Sequence, residues 1–152
     1  MNRLFTRPIV LLSTLFIILG GIYAWATPPF EASDEYWHFG MVEYIHDHQS
    51  LPVQDPDAPD TLYRQEGSQP PLYYALAAML ISPFDLSDID DYCVPNPHVR
   101  AGQPDSTNNK NFVLHDVPNR YSAQSMLAVT IVRLFSIGLG LVTVLCVYAN
   151  TR

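Results

Sequence analysis

Two long apolar runs constrain this 152-residue chain more than anything else in it. Ile9–Ala26 carries no charge, and Met126–Ala149 carries one, Arg133. A helix rises about 1.5 Å per residue and a bilayer core is about 30 Å thick, so a span needs about 20 apolar residues. Residues 9–26 nearly meet this and residues 126–149 exceed it. Arg3 and Arg7 precede the first run, and Pro8 suits a first helical turn. The positive-inside rule then places residues 1–8 in the cytoplasm and Tyr23 and Trp25 at the outer interface. Arg152 follows the second run, which fits a return of residues 150–152 to the cytoplasm. The alternative is a signal peptide cleaved after Ala26, because Ala24-Trp25-Ala26 has the small-x-small form. Against it, the apolar run is longer than the ~7–15 residues of a typical signal core.

Between the runs, residues 27–125 hold all fifteen Asp and Glu and all five His, but only Arg64, Arg100, Lys110 and Arg120 as basic residues. Four bases against fifteen acids leave a formal charge of −11. Such a segment repels nucleic acid and anionic headgroups, so nucleic-acid binding is excluded as a function. Cys93 lies in this segment and Cys146 in the second apolar run, in different phases, so a disulfide between them is not expected.

The reading is therefore an all-α membrane protein. Two transmembrane helices, 9–26 and 126–149, are joined by a long outer loop, 27–125. Within the loop, Ser33 to His48 has a helical pattern: Ser33 is a plausible N-cap, and Asp34 and Glu35 fill the first turn, where carboxylates suit the helix dipole. Trp37, Met41, Tyr44 and Ile45 form an apolar stripe, with Glu43 and Asp47 on the other side. This predicts an interfacial amphipathic helix with Trp and Tyr toward lipid. Residues 51–66 contain Pro52, Pro56 and Pro59 among acids and read as a loop. A second interfacial or re-entrant helix is expected over 70–82, opened by Pro70-Pro71 and ended by Pro83, too short to cross. Residues 83–119, rich in Pro, Asp and Asn, are expected to be irregular, with at most a short helical turn. The loop is expected to lack a large apolar core of its own.

Several constellations could carry chemistry. Asp34 and His38 are four apart and Glu35 and His38 three apart, so a helix can place all three on one face. A carboxylate beside an imidazole can act as a general base or hold a divalent metal, with Glu35 and His38 as the candidate ligands. The same residues also suit a capped helix start. Gln69-Pro70-Pro71-Leu72-Tyr73-Tyr74 reads either as a Pro-initiated helix or as one whose Tyr hydroxyls face a polar cavity. His46-Asp47-His48 and the run Asp85, Asp88, Asp90, Asp91 read as solvated surface, the latter lacking the Gly and terminal Glu of a calcium loop. Arg133 is the anomaly within an apolar run. It either snorkels to the headgroups or lines a polar cavity as a cation ready for a phosphate.

The order of these pieces resembles the N-terminal region of polytopic GT-C class glycosyltransferases. A basic N-terminus leads into a span, which exits through "PPFEASDEYWHF" (28–39). Then come Leu51-Pro52, "QPPLYYALAA" (69–78) and "RLFSIGLGLVTV" (133–144) inside the next span. The nearest likenesses are the protein-mannosyltransferase-like and aminoarabinose-transferase-like families and a related bacterial membrane family. The resemblance covers most of the chain except roughly 83–119. It implies an inverting transferase in a bacterial inner (plasma) membrane, using a polyprenyl-phosphate-linked sugar on the extracytoplasmic side. Asp34 is then implied as catalytic base, with Glu35 supporting it or binding an acceptor or metal. His38, Gln69, Tyr73 and Arg133 fall where substrate contacts are expected. Such enzymes have many more spans, so the resemblance further implies that this is the N-terminal part of a longer protein, or that more transmembrane segments or a partner subunit complete it. Beside it stands a different reading, a non-enzymatic two-span protein whose acidic outer loop binds a partner or cations. A third is a secreted protein cleaved after Ala26 and anchored by its C-terminal helix.

Overall fold

A computed structural model shows how these segments fold; it describes residues 3–53, 61–99, 110–115 and 123–151. Among them the chain is helical, with no strand. Helix α1 runs Arg3–Ala26, α2 Glu35–His48, α3 Leu72–Ile81, α4 Ile89–Tyr92 and α5 Gln124–Asn150, with a 3₁₀ helix at Arg64–Ser68 before α3. Two helices are long and apolar enough to cross a membrane, Pro8–Ala26 within α1 and Gln124–Asn150. Their start and end agree with the apolar runs because uninterrupted apolar length is a local property of the sequence.

α1 and α5 pack against each other along their lengths. A Cβ on Gly140 would lie 2.6 Å from Phe16, and one on Gly20 would lie 3.3 Å from Ile137. Residue 16 thus meets 140 and residue 20 meets 137, so the two helices run antiparallel. Small residues at such crossings let apolar helices approach closely. The remaining faces of both helices are apolar and open, with Leu11, Ile18, Leu19 and Ile22 on α1 and Leu134, Val142 and Val147 on α5 all exposed.

The segment between them, expected to lack a large apolar core of its own, shares a core with the start of α5. α2 packs on α3, and α3 packs on α5. Phe30, Phe39, Met41, Val42, Tyr74, Ile81, Leu86, Ile89 and Val113 are buried together with Met126, Ala128, Val129 and Val132 from the first turns of α5. That end of α5 closes a core to which the loop alone contributes too little apolar surface. The predicted lipid-facing stripe of α2 accordingly faces protein. Met41 and Ile45 are buried, Trp37 packs edge-on against Tyr36 and Phe112, and Tyr44 stacks on His48. Gly40 makes room for the chain passing over α2: a Cβ there would lie 2.5 Å from Leu62 Cγ and 3.0 Å from the Leu62 carbonyl carbon.

The helix at 70–82 is observed as Leu72–Ile81. The segment expected to be irregular contains the short helix α4 and an isolated antiparallel bridge between Pro95 and Val113. The bridge is extended by Asn96 N–H to Phe112 O and Leu114 N–H to Val94 O, both 2.9 Å. Glu31 anchors this arm. Its carboxylate accepts the backbone N–H groups of Phe112 and Val113 at 2.8 and 3.1 Å and lies 2.6 Å from His115 Nε2. The parts of the irregular stretch at 100–109 and 116–119 lie outside the described residues. Cys93 is buried and Cys146 exposed, and no disulfide joins them.

Candidate functional site

The turn from α1 into α2 builds the site. Pro28 cannot donate to the α1 ladder and disfavours helix at Thr27, so α1 ends at Ala26. Two residues in the turn then take left-handed conformations, Phe30 (φ 67°) and Asp34 (φ 59°). Asp34 occupies the N-cap position, without a side-chain capping bond. This corrects the expectation of a Ser33 cap with both Asp34 and Glu35 inside the first turn; only Glu35 is in the helix. Asp tolerates the left-handed region better than most residues, yet a non-glycine residue there stores on the order of 1–3 kcal/mol. Asp34 is exposed, and its carboxylate has no hydrogen-bond partner among the described residues.

Glu35 has the opposite setting. Its Oε2 accepts the Phe30 N–H at 2.7 Å, and both oxygens pair with Arg133, ninety-eight positions away. Nε of Arg133 bonds Oε1, and NH2 bonds Oε2 at 2.6 Å. The rest of the guanidinium caps the end of α1. NH1 donates to Ala24 O at 2.7 Å and to Thr27 O at 2.6 Å, and NH2 to Pro28 O at 2.9 Å. All five guanidinium N–H groups are thus engaged. Helix C-termini expose unpaired carbonyls and favour cations, so this Arg neutralises the α1 dipole end and the Glu35 charge at once. The side chains of Arg133 and Glu35 are only 12% and 13% exposed. Arg133 therefore neither snorkels outward nor keeps an unused donor for a phosphate.

Beside this pair lies a cavity of about 440 Å³ between α2, α3 and α5. Glu35, His38, Gln69, Tyr73 and Arg133, five of the six residues singled out from sequence, all line it. Asp34 is not on its wall, although Ser33 and Glu35 on either side of it in the chain are. Phe39, Val42, Val129 and Val132 supply apolar wall. Tyr73 Oη is 2.7 Å from Ser136 Oγ, which ties α3 to α5, and its ring stacks on Phe135. His38 Nδ1 is 2.8 Å from Tyr74 Oη. A cavity of this size, mostly apolar with a few convergent polar groups, suits a small molecule or one end of a larger one.

Sequence reasoning named Tyr74 within the stretch 69–74 without marking it as a site residue, and it missed Glu66. Tyr74 is buried, lines the cavity and bonds His38, and Glu66 is buried with Oε2 lacking a hydrogen-bond partner. Burial raises the Tyr74 pKa, and the nearby charge of Glu66 and then Tyr73 raise it further. Glu66 was legible only as one acid among many in a Pro-rich stretch. Its sole signal was its place three residues before Gln69-Pro70-Pro71.

Both oxygens of Glu35, a candidate metal ligand with His38, are held by Arg133, and among the described residues no group of three or more His, Cys, Asp or Glu is placed to hold an ion. His46 pairs with its neighbour Asp47 at 2.7 Å on the surface, and Asp85 accepts the Ser87 N–H at 2.9 Å. That bond lowers the Asp85 pKa.

No family model, no curated protein and no solved structure matches this chain. The resemblance in motif order stands on its quoted residues alone.

Proposed function

We propose that this chain is the N-terminal part of an integral-membrane glycosyltransferase. It moves a sugar from a polyprenyl-phosphate donor to an acceptor on the extracytoplasmic side of a bacterial inner membrane, with its N-terminus in the cytoplasm. One observation carries the reading. Residues from three separate stretches, the start of α2, the turn into α3 and the first half of α5, line one cavity at the end where α1 finishes and α5 begins, both span-length helices. These are the stretches whose order resembles a GT-C enzyme.

Asp34 acts as the base. Asp34 is exposed and lies in the chain between the cavity-lining Ser33 and Glu35, whereas the Glu35 carboxylate is committed to Arg133. The acceptor's hydroxyl oxygen attacks the anomeric carbon as Asp34 takes its proton. The bond from that carbon to the phosphate oxygen breaks, and the phosphate leaves with the electron pair. Attack opposite the leaving group inverts the anomeric centre. Further transmembrane segments or a partner subunit supply the phosphate-binding groups, since Arg133 has no free donor.

The test is Asp34→Asn in the polypeptide expressed from its whole reading frame. Asn also tolerates the left-handed conformation, so the turn is preserved. Removing a general base typically costs about 10²–10⁴ in rate. Transfer of labelled sugar from a polyprenyl-phosphate donor in membranes should fall by that factor at unchanged expression. Turnover equal to wild type sinks the assignment.

A further inference from the structure

Two hydroxyls meet on the wall of the cavity. Tyr73 Oη lies 2.7 Å from Ser136 Oγ, and both residues line the space. Either oxygen could give the proton of that bond, but Ser136 has a second partner. Its Oγ is 3.1 Å from Val132 O, one turn back on α5, and a carbonyl can only accept. Two other hydroxyls of α5 make the same bond to the preceding turn: Thr130 donates to Met126 O at 2.9 Å and Thr143 to Leu139 O at 3.1 Å.

These bonds fix a direction. A hydroxyl has one proton to give. With the Ser136 proton on Val132 O, the bond between the two hydroxyls is filled from the Tyr73 side. The reverse arrangement, Ser136 donating to Tyr73, forfeits the bond to Val132 and makes one bond where the first makes two. Tyr73 therefore has no proton to spare, and its oxygen can only accept from a ligand. The charged pair beside it has the same bias. All five N–H groups of Arg133 are engaged. Glu35 can only accept, and its Oε1 takes a single bond where Oε2 takes two. The two charges cancel as a bonded pair. Ser33 and Gln69 are exposed and can act either way, and the His38–Tyr74 bond can be filled by a proton from either partner.

We infer that the chain from Tyr73 through Ser136 to Val132 O makes Tyr73 an obligate acceptor, so that the cavity selects ligands bringing a neutral N–H or O–H donor over ligands of the same shape bringing only an acceptor. A donor adds a bond to the chain. An acceptor must take the proton that Tyr73 gives to Ser136, so one bond is lost for the one gained. Ser136 is then a specificity-determining residue that works through Tyr73, holding its proton away from the ligand. The preference deepens the transferase reading of this cavity and rests on it only for which molecule brings the donor.

The experiment uses the full chain in lipid nanodiscs with ¹³Cζ-labelled tyrosine, a carbon whose shift reports hydrogen bonding at the phenol. Tyr73→Phe identifies the Tyr73 signal among those of the nine tyrosines. The probes are indole and benzofuran, which share size and shape and differ in one ring atom, N–H against O. Free concentrations are corrected by partition into empty nanodiscs. Indole should half-saturate the Tyr73 shift at a concentration lower by about fivefold or more, the worth of one added hydrogen bond. In Ser136→Ala the Tyr73 proton is released, and the two probes should come within about twofold of each other because an acceptor now gains a bond too. Ser136→Thr keeps a hydroxyl that can bond the preceding turn and should restore the preference. Equal binding of the two probes to wild type overturns the inference, as does a Tyr73 signal that neither probe moves. A preference that survives unchanged in Ser136→Ala overturns it too. The wild-type comparison stands without any variant folding. Transfer is decided separately by Asp34→Asn: the probe preference can fail while transfer still needs Asp34, and it can hold in a chain that transfers nothing.

Discussion

At Arg133 a guanidinium meets five acceptors, two of them the oxygens of Glu35. Removing one member of such a buried pair strands the other, at about 3–5 kcal/mol. Arg133→Gln should therefore lower the melting temperature in detergent on the order of 10 °C. Arg133→Met combined with Glu35→Leu should recover much of that loss, because no lone charge is left behind. A double variant no more stable than Arg133→Gln would show that the carbonyl bonds to 24, 27 and 28 dominate. The neighbouring acids are used differently. Glu31 holds a distant backbone segment, Asp34 is free, and Glu35 is clasped. Local spacing put Asp34, Glu35 and His38 on one helical face, and it was right for the last two. It failed for Asp34 because one left-handed φ takes that residue out of the helix, and no periodicity in the sequence encodes a single backbone angle.

Among the elements, α1, α3 and α5 were legible because apolar length and flanking prolines are local signals. The way α2 is covered was not, because the stripe Trp37, Met41, Tyr44 and Ile45 looks the same whether it meets lipid or protein. Gly40 is the residue that decides how closely the 61–63 segment can cross α2. An added Cβ would lie 2.5 Å from Leu62 Cγ and 3.0 Å from the Leu62 carbonyl carbon, so Gly40→Ala must shift the Leu62 side chain and its main chain too. Overpacking of this kind costs about 1–3 kcal/mol. The expected outcome is faster protease cleavage within 61–69 and a lowered melting temperature, with the α1–α5 pair unaffected. Gly140→Ala offers the contrast, since it meets only the ring tip of Phe16, a movable group, and should cost less.

Taken whole, the molecule carries a pH response that the sequence placed on its polar side. Glu43 was read as facing solvent, but it is partly buried and feels the charge of Asp90 in α4. Its pKa is raised to about 7, chiefly by burial and then by Asp47 and Asp90, with His46 opposing. A carboxyl group that binds its proton more tightly when folded stabilises the fold at low pH. That contribution is complete below its ordinary value of 4.5 and is lost as pH rises through about 7. Glu43→Gln should match wild type in thermal stability at pH 4 and exceed it at pH 8. Equal pH dependence in the two proteins would show that Glu43 does not couple the fold to protons. One of the charges that raises it, Asp90, stands more than forty residues along the chain, which is why its hydrophilic spacing along α2 concealed it.

The clasp between Glu35 and Arg133 also sets a schedule. A ribosome releases residue 35 long before residue 133, so for most of the chain's synthesis the Glu35 carboxylate and the last carbonyls of α1 wait without their cation. The segment between the two long helices can take up its final shape only once the second of them has emerged. An interruption of synthesis anywhere between those points leaves a product in which the turn after α1 is unlatched.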